Sequence, residues 1–113
     1  MPPDSSNHEA SDEALELIAA RFRVLGEANR LRLIRALQAG EKSVSELMKA
    51  TGLAQANVSR HLQTLTDAGI LSRRKEGLKV IYSIVDRGIF KLCEHVCGAL
   101  ERRFKQQAKA LRV

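Results

Sequence analysis

Three groups of side chains in this sequence carry reactive or ligating chemistry. Cys93 and Cys97 stand four residues apart, with His95 between them. A thiolate is both a soft nucleophile and a soft ligand. The pair suits a thiophilic metal, a trivalent metalloid, an oxidant or a reactive sulfur species. Gln55, Asn57, Ser59, Arg60, His61 and Gln63 form a run of amides, hydroxyl, guanidinium and imidazole. Glutamine and asparagine can pair bidentately with adenine, and arginine with guanine or a phosphate, so this run suits groove reading of duplex DNA. Arg73, Arg74, Lys75 and Lys79 supply cations for sugar–phosphate contacts. Catalysis by the thiols would need a pocket loop or Gly-rich cradle around a Cys, a His and an acid. None is visible, so the chain is not expected to be an enzyme.

The hydrophobic spacing says which elements carry these groups. Leu15, Ile18, Phe22 and Leu25 recur at helical spacing over 12–25, with Ser11 as N-cap and Gly26 as stop. Leu31, Ile34 and Leu37 predict a second helix over 28–39, ended by Gly40. Ser43-Val44-Ser45-Glu46 has the form of a capping box, and Thr51-Gly52 closes the helix it begins. After a short turn, a longer helix over 54–68 puts Val58, Leu62 and Leu65 inward. Steps of about 100° per residue then turn Ala56, Asn57, Ser59, Arg60, Gln63 and Thr64 outward. His61 falls at the flank of the buried stripe, where it either packs or meets a phosphate. A two-turn helix, a tight turn with glycine and a longer polar-faced helix make a helix-turn-helix.

Ile70-Leu71 and the segment 78–84 read as strands, with the basic run 72–77 between them as the tip of a β-hairpin. Asp86 is placed to cap a last helix reaching about residue 111. The expected fold is therefore mainly α with a small β-hairpin wing. It is a winged helix-turn-helix of five helices, with the hairpin between the fourth and fifth. One domain over 12–111 follows a flexible tail, 1–11, that holds Pro2, Pro3, Ser5 and Ser6.

Net charge is +6, yet the first twenty residues carry five acids and no Lys or Arg, which leaves +11 beyond them. A basic body after an acidic lead suits a polyanionic partner, here double-stranded DNA. Charge alone would also fit a non-specific nucleic-acid binder; the polar reading face over 54–68 favours a specific one. The tail lacks the basic and apolar regions of a signal peptide, and no apolar run is long enough to span a membrane. A soluble, cytoplasmic protein is expected.

In the last helix Phe90, Cys97, Phe104 and Leu111 recur every seven residues, and Cys93 and Leu100 fill the complementary positions with Ile89 and Val96 beside them. With Leu15, Ile18 and Phe22 this seam predicts a homodimer through the terminal helices, and a palindromic operator to match its two-fold axis. Cys93 and Cys97 lie on the seam. They are either small packing residues or, with four thiols from two chains, an effector site. A disulfide within one helix is disfavoured, because Cβ atoms at this spacing lie ~5–6 Å apart against the ~3.5–4.5 Å a disulfide needs. A bond between chains is the better redox form. His95, about 200° around the helix from Cys93, is no natural third ligand. The sequence defines no firm metal site and no cofactor beyond a thiolate-bound metal or metalloid at these two residues.

Four segments together resemble the ArsR/SmtB family of small bacterial repressors: 25–34 (LGEANRLRLI), 43–47 (SVSEL), 53–62 (LAQANVSRHL), and the wing from Gly69-Ile70-Leu71 to Tyr82. The resemblance covers about residues 12–100. It implies a homodimer that leaves its operator when an effector arrives. The family's effector sites do not all carry over. Ser43-Val44-Ser45 stands where some members have Cys-Val-Cys. Asp86 is followed two residues later by Gly88 where zinc-sensing members have Asp-x-His, and His95 is the last helix's only histidine. Residues 31–39 lack the cysteine that sulfur-sensing relatives carry near the second helix. Ala54 replaces the serine usual at the start of the recognition helix. The resemblance and these departures together imply a repressor derepressed by a thiol-reactive effector or, alternatively, an effector-independent regulator whose cysteines are structural.

Overall fold

The computed structural model describes residues 9–111. The first eight residues of the expected tail lie outside them. The element order is α1 (Asp12–Leu25), α2 (Ala28–Ala36), β1 (Lys42–Ser43), α3 (Val44–Thr51), α4 (Gln55–Asp67), β2 (Leu71–Glu76), β3 (Lys79–Ile84) and α5 (Gly88–Ala110). The three strands form one antiparallel sheet in the order β1-β3-β2. This is the winged helix-turn-helix that the sequence predicts, with one extra strand. A two-residue strand has no period to read.

Local chemistry fixes the helix starts. Ser11 Oγ accepts the Ala14 N–H at 3.1 Å, and the Glu27 carboxylate accepts the Arg30 N–H at 3.0 Å. At α3 the capping box is complete: Ser43 Oγ accepts from Glu46 N–H, and Glu46 Oε1 accepts from Ser43 N–H. Gly52 ends α3 at φ +74°, a left-handed conformation that costs residues with a Cβ and lets the chain turn into α4. No described helix is long and apolar enough to cross a membrane.

The core is Leu25, Leu33, Ile34, Leu37, Leu47, Val58, Leu62, Leu65, Ile70, Leu71 and Tyr82. Helices α2, α3 and α4 meet in it, with the base of the wing beneath α4. Two expectations for α2 need correction. The helix ends at Ala36, not at residue 39: the Leu37 N–H is shared between the Leu33 and Ile34 carbonyls, and Gln38 and Gly40 donate i→i−3, which tightens the last turn. Its buried stripe is Leu33, Ile34 and Leu37; Leu31 is 38% exposed and turns towards α5.

The wing also differs from expectation. The basic run is not a loop: Ser72 to Glu76 continue β2, paired in register with β3 from Ser72↔Ser83 to Glu76↔Lys79. Val80, Ile81 and Tyr82 give β3 enough strand preference to carry a polar partner. Only Gly77-Leu78 turns the chain, with Gly77 at φ +64° in the first turn position, as a II′ hairpin requires. The N-cap of α5 is Arg87, not Asp86, and makes no side-chain cap; Asp86, one residue earlier, instead accepts the Gly88 N–H on Oδ1 at 2.8 Å.

Candidate nucleic-acid interface

Helix α4 presents a polar face on the side opposite Val58, Leu62 and Leu65. Gln55, Ser59, Arg60 and Gln63 are exposed and Asn57 is half-buried. Arg60 donates to Asn57 Oδ1 at 3.3 Å, and Gln63 Nε2 donates to Asp67 Oδ1 at 2.7 Å. The Asn57–Arg60 pair therefore forms one polar unit one turn into the helix, where a recognition helix meets base edges. Ala54 gives α4 no side-chain cap, consistent with its departure from serine.

His61 does not belong with these residues. It is 5% exposed, and its Nδ1 accepts from Arg30 Nε at 3.3 Å. Its Nε2 lies 3.7 Å from Glu27 Oε2. Of its two expected roles, this geometry fits packing and leaves no open edge for a phosphate. Nothing in the sequence pattern singles out its partners, Glu27 and Arg30. They lie 34 and 31 positions away, and no local signal announces the contact.

The four expected wing cations are all exposed, but they are not equivalent. Arg74 forks onto Glu41, with Nη2 to Oε1 at 2.7 Å and Nη1 to Oε2, and also donates to Glu76 at 2.9 Å. These carboxylates hold the Arg74 pKa up, and the Arg74 guanidinium holds the Glu41 carboxyl below its ordinary range, chiefly through the hydrogen bond. Arg74 is thus a tie between the wing and the α2–β1 loop. Arg73 and Lys75 stand on the other pleat face, opposite Tyr82 and Val80. Among the described residues no carboxylate pairs with Arg73, Lys75 or Lys79.

Cys93 and Cys97 are exposed free thiols. They line a groove of about 510 Å³ between α5 and α2, with Phe90, Leu31, Arg32 and Arg35. Cys97 Sγ donates to Glu101 at 3.7 Å. Arg87 holds the start of α5 over the end of α2 by donating to the Gln38 carbonyl at 2.9 Å, and it stacks on Phe90. Among the described residues no group of three or more His, Cys, Asp or Glu side chains could hold a metal ion within one chain.

The seam residues Leu15, Ile18 and Phe22 of α1 and Val96, Leu100 and Phe104 of α5 are large apolar groups left exposed. Leu17, unforeseen, is 74% exposed. Phe90 is half-buried against the core, and no residue of the 23-residue helix α5 is fully buried within its own chain.

A profile of the family described as "Bacterial regulatory protein, arsR family" matches residues 27–73, from the His61 partner Glu27 to the wing. The HTH-type transcriptional regulator Rv0081 of Mycobacterium tuberculosis is 34% identical over 83 residues, 73% of each chain. The chain belongs to the arsR family. The crystal structure of Rv0081 superposes with a TM-score of 0.76 at 30% identity, covering 87% of this chain and 99% of that one. The structure of the AntR antimony-specific transcriptional repressor gives 0.75 at 28% identity, over 93% and 96%. A probable mercury resistance operon repressor of Streptomyces lividans is 38% identical over 65 residues, 58% of this chain. The chain matches only about half, 52%, of that relative's length. As an arsR-family member the protein is a DNA-binding transcriptional regulator and not an enzyme.

Proposed function

We propose that this arsR-family protein is a homodimeric repressor that reads a palindromic operator in the cytoplasm and is released by a thiol-reactive effector at Cys93 and Cys97. The observation that carries the dimer is the exposed apolar surface shared by α1 and α5: Leu15, Ile18 and Phe22 on one helix, Val96, Leu100 and Phe104 on the other. Leaving such a band in water is unfavourable by ~25 cal/mol per Å², and a second copy supplies the matching face. Pairing of α5 with its copy places four thiols near one axis.

Gln55, Asn57, Ser59 and Arg60 are assigned to base edges, with Gln63 at the margin. Arg73, Lys75 and Lys79 are assigned to phosphates. The soft-ligand chemistry of two exposed thiols supports a thiophilic effector. So do the names of two relatives, a mercury resistance operon repressor and an antimony-specific repressor. The second reading, a regulator without an effector, is favoured by the lack of a three-ligand group within one chain among the described residues.

Reduced protein should be bound to its own upstream promoter DNA and titrated in parallel with zinc, trivalent arsenic, and a polysulfide or peroxide. Release by one agent that disappears in the Cys93→Ser, Cys97→Ser double variant establishes the sensor and its chemistry. Tight binding unmoved by all of them makes the cysteines structural and leaves the second reading.

A further inference from the structure

Apolar packing holds α4 against the core through Val58, Leu62 and Leu65, but such contacts have little directionality. A helix seated only on them can slide or roll slightly at small cost. His61 adds a directed contact on the same buried side. Its Nδ1 accepts from Arg30 Nε, and its Nε2 faces Glu27 Oε2 at 3.7 Å. Glu27 also caps α2 through the Arg30 N–H, and Arg30 Nη1 donates to the Val24 carbonyl at 3.1 Å, near the end of α1. Three side chains therefore tie the end of α1, the first turn of α2 and the middle of α4 together. His61 follows Arg60 directly, so this anchor sits one residue from the reading face.

We propose that the Glu27–Arg30–His61 bridge is a positioning device for sequence reading. It fixes the roll and depth of α4 relative to α1 and α2, and so sets the preference for operator over other DNA. The bridge rests on the assignment of α4 as the reading helix and extends it to residues that touch no DNA. Base contacts by short side chains such as Asn57 and Ser59 fail when the helix moves by about an ångström. Phosphate contacts by the long, flexible wing cations tolerate such a shift. Loss of the bridge should therefore erode specific binding and spare non-specific binding. A residue that merely stabilised the fold would have no such selectivity.

The test compares wild type, His61→Leu, His61→Asn and Arg30→Met on operator and scrambled duplexes at one salt concentration, with thermal midpoints measured alongside. Leucine fills the space without an acceptor; asparagine restores an acceptor near the Nδ1 position. His61→Leu and Arg30→Met should each lower the operator-to-scrambled affinity ratio about tenfold, roughly the effect of losing one base contact. Scrambled-DNA affinity should not change. His61→Asn should recover most of the ratio, and the His61→Leu, Arg30→Met double variant should lose no more than either single one. An unchanged ratio in folded His61→Leu or Arg30→Met protein would overturn the proposal, as would an equal fall on both duplexes. If His61→Leu does not fold, Arg30→Met and His61→Asn decide the matter alone. A wild type with no operator preference refutes the underlying assignment of α4 instead, and is recognised before any variant is made.

Discussion

The split between Arg73 and Arg74 gives the most direct prediction. Both are exposed arginines on β2, and sequence alone treats them alike. In the fold, Arg74 is neutralised by Glu41 and Glu76, whereas Arg73 faces the other way with no carboxylate paired to it among the described residues. A cation already paired to carboxylates displaces few counterions from DNA. Each phosphate contact contributes about 0.9 to the slope of log affinity against log salt, and the proposed dimer would have two copies of each residue. Arg73→Ala should therefore reduce the slope by about 1.8. Between 50 and 200 mM salt, a fourfold range, that change narrows the affinity gap to wild type by about 12-fold. Arg74→Ala should leave the slope where it was. Fluorescence anisotropy on one operator duplex across that salt range reads both numbers. An equal loss of slope in Arg74→Ala would refute the reasoning, since it would mean that Glu41 releases the guanidinium to DNA.

Other perturbations test the same geometry. Ser43→Ala removes half of the capping box and should cost ~0.5–2 kcal/mol of stability, read from urea unfolding. Glu46 is held below its ordinary value of 4.5, first by the Ser43 N–H and then by its hydroxyl. A carboxylate depressed by folding adds stability that is complete above its unfolded value and lost as pH falls through the folded one. Glu46→Gln should accordingly flatten the fall of the urea midpoint below about pH 4.5, and an unaltered acid limb would count against the capping geometry. Leu65→Ala opens a cavity in a fully enclosed site and should cost ~2–5 kcal/mol in the same assay. Phe104, 59% exposed, should tolerate Phe104→Asp as a folded chain but sediment as a monomer; a variant that stays dimeric would move the interface off this part of α5.

Much of the fold is legible in the sequence because its signals are local. The Ser43–Glu46 box, the Val58–Leu62–Leu65 stripe and the glycines that stop α1 and α3, Gly26 and Gly52, are each local signals, and each appears where the pattern puts it. The departures share a different cause. The i→i−3 turn that ends α2 at Ala36 leaves no composition signal, since Leu37 still continues the apolar period. The wing strand reads as a loop because Arg73, Arg74, Lys75 and Glu76 have no apolar face. Their strand character comes from the partners across the ladder, Tyr82, Ile81, Val80 and Lys79. The polar, exposed face of α4 emerges from helical phase alone. The neutralisation of Arg74 by Glu41 and the burial of His61 against Arg30 do not, because each joins residues more than thirty positions apart.

Those long-range contacts give α2 a place in function that its own sequence does not advertise. One side of the helix, Leu31, Arg32 and Arg35, walls the groove that holds Cys93 and Cys97. Its first turn carries Arg30, which with Glu27 at the helix cap holds His61 of α4. The turn beyond its end receives Arg87 from the start of α5. A group bound to the thiols and too large for the groove would push on α2, and α2 cannot move far without straining the Arg30–His61 bond. One nine-residue helix and one directed contact thus join the groove that holds the thiols to α4. The relevant property of Leu31 is then its failure to join the core: it leaves an apolar wall beside the sulfur atoms on the helix that carries Arg30, the proposed anchor of α4.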